Sequence, residues 1–168
     1  MNVAEAIRAR RSIRKYKSDP IPEEHLKLIL EAAMTAPSAC NTRPWEFVVI
    51  TNEAERRKLA SLHPFAKHAA ASPAVIVVCA LPETQERVAK GFFPQDCGAA
   101  TQNILLQAAE LGYGTCWCGV YPHERLMNPI REMLGVTSVP FCLITLGVPD
   151  EAPAARGFYE EAKVRFIR

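Results

Sequence analysis

The chain has 168 residues, of which 49% are hydrophobic and 23% are charged, the size and composition of one globular domain with a sizeable core. Its 20 basic and 18 acidic residues leave a formal charge of +2, which gives no overall electrostatic reason to expect a nucleic acid or a membrane surface as a partner. No apolar run approaches the roughly 18 residues that a transmembrane helix needs.

Apolar periodicity and turn residues divide the chain into helices and strands. A first helix is predicted over 2–11, and a second begins after Pro20 and is stopped by Pro37. The later elements are a strand over 45–51, a helix over 53–62, a strand over 74–80, a helix over 95–111, a strand over 115–120, a helix over 123–134 and a strand over 141–148. The tail from Pro149 has no clear period but ends both basic and apolar, so we expect it to dock.

Elements in this order predict helices packed around one sheet with long helical crossovers, in an α/β or α+β sandwich. The run 74–80 is apolar throughout, as expected for a strand covered on both faces. No repeat, low-complexity tract or linker divides the chain. Residues 1–168 are therefore predicted to form a single domain.

Six cysteines are scattered along the chain, but they do not indicate disulfide bonds. The N-terminus lacks the apolar core of a secretory signal peptide, so a reducing cytoplasm is the expected location. Cys116 and Cys118 are separated by one residue, whereas a zinc knuckle has two, and no second Cys/His pair has ligand spacing. The sequence therefore predicts no metal site.

The N-terminal region contains a dense group of basic residues with no acidic residue between Arg8 and Lys17. Arg10, Ser12 and Arg14 alternate where the chain leaves the first helix, so an extended backbone would point all three the same way. Two guanidinium groups and a hydroxyl would then face one anion, and guanidinium matches phosphate bidentately. From composition alone, a solvated arginine face of a surface helix is an equally good interpretation.

A second unusual stretch is the turn-rich loop over 36–45, which carries hydroxyl and amide side chains between a helix and a strand. It is suited to binding the polar parts of a ligand. Taken alone, it is better interpreted as a plain connector in which Ser38 and Asn41 make local bonds to the backbone.

The motifs of several common enzyme classes are absent from the sequence. There is no GxSxG elbow, HExxH, Walker loop or GxGxxG, so serine nucleophiles, zinc hydrolysis, ATP and a Rossmann-bound nicotinamide are poorly supported. We expect any chemistry to be carried by a bound cofactor, which the protein holds and tunes.

Five segments, taken in order, resemble the motifs of the nitroreductase family of flavoproteins. They are RRSIR at 10–14, PSACN at 37–41 with RPWEF at 43–47, DCGAATQNILL at 96–106, WCGVYP at 117–122 and EEAKVR at 160–165. Each motif alone is weak evidence for the family, but five motifs in the same order and spacing over essentially the whole chain are specific to it. The resemblance implies an α+β fold, with a mixed sheet flanked by helices, and an intertwined homodimer with FMN at the interface.

The resemblance also implies roles for the basic segment. The residues that would bind the FMN phosphate, the ribityl chain and the pyrimidine edge are Arg10, Arg11, Ser12 and Arg14. Arg14 would lie near N1 and O2 of the ring, where a cation stabilises the negative charge that forms on reduction.

Three other groups would complete the flavin site by the same resemblance. The loop residues that would reach the flavin from the other subunit are Pro37, Ser38, Ala39 and Asn41. The residues near the N5 edge would be Cys118 and Gly119, where glycine allows close approach. The phosphate site would be completed by Lys163 and Arg165.

Some positions depart from the family pattern. Little sequence lies between Leu81 and Gln95 to build a lid over the flavin, so the substrate preference does not carry over. His68 is placed where it could donate to the flavin pyrimidine, although a core or surface histidine is the commoner role. Cys40 and Cys118 would lie near the cofactor, and packing is the safer interpretation of both.

The function implied by the resemblance is that of an FMN-dependent oxidoreductase. Hydride would pass from NADH or NADPH to FMN and then to an electron-poor acceptor, such as a nitroaromatic or a quinone, in a ping-pong order without a protein nucleophile. The expected partners are a second copy of the chain and a small-molecule acceptor, with no nucleic acid and no membrane. Three alternatives to this function remain: a flavin carrier or sensor, a related flavin reaction such as dehalogenation, and an arginine-rich nucleic-acid module.

Overall fold

A computed structural model of the protein describes residues 1–154 and 156–168. The helices are α1 (Val3–Ala9), α2 (Glu23–Met34), α3 (Glu53–Leu62), α4 (Phe93–Glu110) and α5 (Glu124–Leu134). The strands are β1 (Trp45–Ile50), β2 (Ala74–Ala80), β3 (Gly114–Gly119) and β4 (Val139–Gly147). Each helix and strand that was predicted with numbered bounds is present, with its ends within two residues of those bounds. Among the described residues, none of the helices combines the length and the apolarity needed to cross a bilayer.

The four strands form one sheet in the order β1-β2-β4-β3, and each neighbouring pair is antiparallel. All seven residues of β2 are buried, which confirms the prediction that this strand is covered on both faces. The apolar core on one face includes residues of α2 and α4, and the core on the other includes residues of α3 and α5. The predicted α+β class is confirmed. Among the described residues, the one parallel pairing is the isolated bridge between Ser12 and Thr115.

The basic segment 12–17 is held against the sheet by backbone hydrogen bonds. The Ile13 N–H donates to the Thr115 carbonyl of β3 at 2.8 Å, and the Lys17 N–H donates to the Val148 carbonyl, just past β4, at 2.9 Å. Because β3 and β4 are neighbours, both bonds fix the segment at the same corner of the sheet.

Two paired glycines allow the segment to approach this corner. Gly114 of β3 lies opposite Gly147 of β4. A Cβ atom on Gly114 would lie 2.8 Å from the Ile13 side chain, and one on Gly147 would lie 2.5 Å from Pro73 and 3.0 Å from Tyr16. Carbon atoms in contact lie about 3.5–4.0 Å apart, so a side chain on either glycine would force the packing around segment 12–17 to shift.

The C-terminal tail pairs with segment 12–17 through residues 149–151 and is exposed beyond them. Beyond Glu151 every described residue is exposed. The exposed fraction is 82% for Phe158, 72% for Phe166 and 86% for Ile167. The expected docking of the tail is therefore met within the single chain at residues 149–151, whereas Phe158, Phe166 and Ile167 are left uncovered by the described residues.

Candidate functional site

An open cavity of about 560 Å³ lies beside segment 12–17. Its walls are formed by Arg11, Ser12, Arg14, Lys15, Glu151, Pro153 and Arg156. Four of these side chains are cationic at neutral pH and one is anionic, so the cavity carries an excess of positive charge. Guanidinium and hydroxyl groups gathered in this way suit a phosphate. We call this space the arginine cavity.

Arg11 has a buried polar atom that supports an anion site. Its Nη1 is buried and has no hydrogen-bond partner among the described residues. Leaving a buried donor unpaired costs about 1–3 kcal/mol, and more for a charged group. The guanidinium that carries this unpaired nitrogen belongs to a residue that lines the arginine cavity.

Arg10 lines a different space from Arg14. It lies at the C-cap of α1, where its N–H is bonded to the Ala6 carbonyl, and its side chain borders a neighbouring cavity of about 280 Å³. Arg11 lines both cavities. The predicted alternation therefore places Ser12 and Arg14 together but not Arg10, because the chain is still leaving the helix at that residue.

Glu151 fixes the backbone of the arginine segment. Its Oε1 accepts hydrogen bonds from the Arg14 N–H at 2.6 Å and from the Lys15 N–H at 3.2 Å. The first of these bonds is the main cause that lowers the pKa of the Glu151 carboxyl, and the second adds to it. Glu151 was not predicted from the sequence, because it lies 137 residues from Arg14 along the chain.

The loop 37–43 has a strained backbone. Cys40, Asn41 and Arg43 have φ values of 50°, 53° and 49°, in the left-handed region that costs a non-glycine residue about 1–2 kcal/mol. The Ser38 hydroxyl accepts from the Arg43 N–H at 2.9 Å, and Asn41 Oδ1 accepts from Arg43 Nε at 3.2 Å. Ser38 therefore makes the local bond to the backbone that is expected of a connector, whereas Asn41 bonds to the Arg43 side chain; both bonds lie within the loop.

The buried carboxylate of Asp96 ties this loop to the first turn of α4. The Ala39 N–H lies 3.1 Å from Oδ1 and 3.2 Å from Oδ2, and Gln85 Nε2 donates to Oδ2 at 2.7 Å. Gln85 also donates to Thr42 Oγ1 at 3.2 Å. Asp96 lies in a predicted motif, but its place in that motif does not indicate that it binds a backbone amide 57 residues away.

The end of β3 exposes backbone rather than a reactive side chain. Gly119 is exposed, and its carbonyl is 2.8 Å from His63 Nε2. His63 Nδ1 accepts from the Phe65 N–H, so Nε2 carries the proton and donates to Gly119. The Cys118 side chain is buried on the α3 and α5 side of the sheet, as the packing interpretation expected.

The two thiols of β3 interact with each other. The pKa of Cys116 is lowered because Cys118 and His68 hydrogen-bond to its sulfur and because Arg14 adds positive charge nearby. The pKa of Cys118 is raised, since its proton is held by Cys116 and the thiol is buried. Arg14 is thus close enough to act electrostatically on this end of the sheet.

The remaining predicted residues lie apart from the arginine cavity. Lys163 pairs with Glu160 at 2.8 Å in the exposed tail, and Arg165 is also exposed. Neither residue lines the arginine cavity, and nor does the loop 37–43. Within one chain the structure therefore brings together Arg11, Ser12 and Arg14. It separates them from the groups that the family resemblance assigned to the second subunit and to the tail.

Replacing Asp96 with alanine is expected to loosen the loop 37–43. The change leaves the Ala39 N–H and one Gln85 donor without an acceptor, at a cost of about 1–3 kcal/mol in the free energy of unfolding. Urea unfolding measures the loss, and hydrogen exchange of the Ala39 amide should become faster. Asp96→Asn is the matched control, because it keeps an acceptor oxygen and should lose less stability. Unchanged stability and exchange in Asp96→Ala would show that the carboxylate does not hold the loop.

Comparison with known proteins places this geometry in a family. The nitroreductase family model matches residues 7–63 and 61–148. A protein of Methanothermobacter thermautotrophicus, which carries the provisional name NADH dehydrogenase/NAD(P)H nitroreductase, is 42% identical over 166 residues, covering 98% of this chain and 86% of the relative.

Solved structures show the same fold. An FMN-dependent nitroreductase of Clostridium difficile has a TM-score of 0.90 and 32% identity, and the match covers 99% of each chain. A provisionally named nitroreductase of Desulfovibrio desulfuricans, solved in complex with FMN, has a TM-score of 0.84 and 28% identity, covering 100% of this chain and 98% of that one. The chain therefore belongs to the nitroreductase family and is an oxidoreductase.

Proposed function

We propose that the protein is an FMN-dependent oxidoreductase that is reduced by NADH or NADPH and reduces an electron-poor organic molecule, such as a nitroaromatic or a quinone. The observation that carries this proposal is the arginine cavity, a site suited to phosphate in a chain of the nitroreductase family. Two structural relatives support the choice of cofactor, since one is named FMN-dependent and the other contains FMN.

The residues of the arginine cavity fit the phosphate end of FMN. The unpartnered Nη1 of Arg11 offers a buried donor, and the Ser12 hydroxyl and the Arg14 guanidinium line the same space. We infer that Arg11 and Ser12 bind the phosphate and the adjoining chain. Arg14, which is more exposed than Arg11, reaches the pyrimidine edge of the ring.

When bound, FMN supplies the chemistry by accepting hydride from the nicotinamide and passing electrons to the acceptor. The chain binds the flavin and tunes its reduction potential. A guanidinium at the pyrimidine edge stabilises the negative charge that develops there on reduction. The exposed backbone at Gly119 leaves room for the close approach of a flat ring. Both substrates would use one open site in turn, so we propose a ping-pong order.

We further propose that the flavin lies between two copies of the chain, each a single flavin-binding domain over residues 1–168. In one copy neither the loop 37–43 nor the tail residues Lys163 and Arg165 line the arginine cavity. Phe158, Phe166 and Ile167 are almost fully exposed, and apolar side chains exposed together mark interaction surfaces. A second copy would cover the tail and bring its own loop to the flavin. We also expect the cytoplasm as the location, because all six cysteines are free thiols.

The direct test of the function is the absorbance spectrum of the purified protein, followed by anaerobic addition of NADH and then NADPH. We expect about one FMN per chain, bleaching of the flavin bands by at least one nucleotide, and recovery of the bands on addition of a nitroaromatic or a quinone. Flavin that binds but stays oxidised would indicate a carrier or sensor. Failure to bind added FMN would overturn the proposal.

Replacing Arg14 with alanine should weaken FMN binding and lower the reduction potential of the bound flavin. The loss of charged hydrogen bonds, worth about 1.5–3 kcal/mol each, predicts about 10- to 100-fold weaker binding. Fluorescence titration of flavin measures the affinity, and equilibration with redox dyes measures the potential. The control is Arg8→Ala, which removes an exposed arginine of α1 outside the arginine cavity. An Arg14→Ala variant with the affinity and potential of the Arg8→Ala control would contradict the assignment.

A further inference from the structure

Three metal-ligating side chains lie together on the α3 and α5 side of the sheet. Cys116 and Cys118 are two residues apart on β3, so their side chains share one face of the strand. His68 comes from the short 3-10 turn Lys67–Ala70, which precedes β2. The two sulfur atoms and a ring nitrogen of His68 all lie within 4.8 Å of one another. We call this group the thiol–imidazole cluster.

The distance between Cys118 and His68 matches the ligand spacing of a tetrahedral zinc site. With Zn–S bonds of about 2.3 Å and Zn–N bonds of about 2.0–2.1 Å, neighbouring ligand atoms lie about 3.5–3.8 Å apart. The Cys118 sulfur is 3.8 Å from His68 Nε2. It is also 3.9 Å from the carbonyl oxygen of Phe65, so this oxygen or a water molecule could occupy the fourth position.

The donor set and its burial select a thiophilic cation. Cys116 is 2% exposed and Cys118 is 7% exposed, whereas His68 is half-buried and leaves a route from solvent. Thiolate and imidazole ligands favour zinc or copper(I) over magnesium, calcium and manganese. Two thiolates and a neutral imidazole also balance the charge of a zinc ion, which limits the cost of burying the ions.

A disulfide between the two cysteines is disfavoured by the strand. Residues two apart on a strand have Cα atoms about 6.6 Å apart, at the upper end of the disulfide range and beyond its usual 5.5–6 Å. The extended backbone that strains a disulfide is compatible with two sulfur atoms that converge on one ion.

We propose that His68, Cys116 and Cys118 form a zinc-binding site in this protein. The site differs from the sequence prediction, which found no metal site because the spacing of the two cysteines is not that of a zinc knuckle. The third ligand lies 50 residues from Cys118 and is brought to it by the fold. The site requires no flavin, so it stands apart from the proposed function.

The test is a titration of reduced, metal-stripped protein with zinc in competition with a chromophoric zinc indicator, carried out on flavin-free and on FMN-loaded protein. We expect one zinc ion per chain in the flavin-free protein. Cys116→Ser, Cys118→Ser and His68→Gln should each weaken zinc binding about tenfold or more. The matched controls are Cys40→Ser and His123→Gln, which change exposed residues outside the cluster and should bind zinc like the wild type.

Alkylation of the wild-type protein, followed by peptide mass spectrometry, decides the proposal even if a variant fails to fold. Zinc should slow the modification of Cys116 and Cys118 while leaving that of Cys40 unchanged. The proposal would be overturned if Cys116 and Cys118 were modified equally with and without zinc, or if the cluster variants bound zinc as tightly as the controls. A Cys116–Cys118 disulfide in the metal-stripped protein would also overturn it. FMN binding is measured separately, so its failure would leave the zinc result intact.

Discussion

The site depends on the close packing of segment 12–17 against the corner of the sheet where Gly114 lies opposite Gly147. Without side chains at these glycines, the segment reaches the backbone of Thr115 and hydrogen-bonds to it. Arg11 is thereby half-buried with an unsatisfied donor, rather than solvated on a helix surface. This partial burial differs from the solvated helix face that is one of the two sequence interpretations of the basic residues, because a free helix face would leave the Arg11 guanidinium in water.

Local features of the structure followed from the sequence, and long-range ones did not. The central position of β2 is encoded in its uninterrupted apolar run, and Ser12 and Arg14 share a cavity because they are two apart in an extended segment. The bond from the Ala39 amide to Asp96 and the bond from the Arg14 amide to Glu151 join residues that are far apart in sequence. Spacing rules cannot find such pairs, since only the folded chain brings them together.

The single chain leaves two of its features without a partner. The loop 37–43 is held in a strained shape by Asp96, as expected for a segment positioned to contact something outside its own domain. The tail exposes aromatic and apolar side chains that cost free energy in water. We propose that a second copy covers both features and that its loop and tail complete the flavin site.

We propose that FMN is held in the arginine cavity of one chain and enclosed by a second chain. Native mass spectrometry of the FMN-loaded protein tests this arrangement by comparison with a variant that ends at Gly157, which keeps Glu151 and the residues that line the arginine cavity. We expect an assembly of two chains with two FMN molecules, and loss of both the assembly and the flavin when residues 158–168 are removed. A single chain that retains one FMN, with or without the tail, would contradict it.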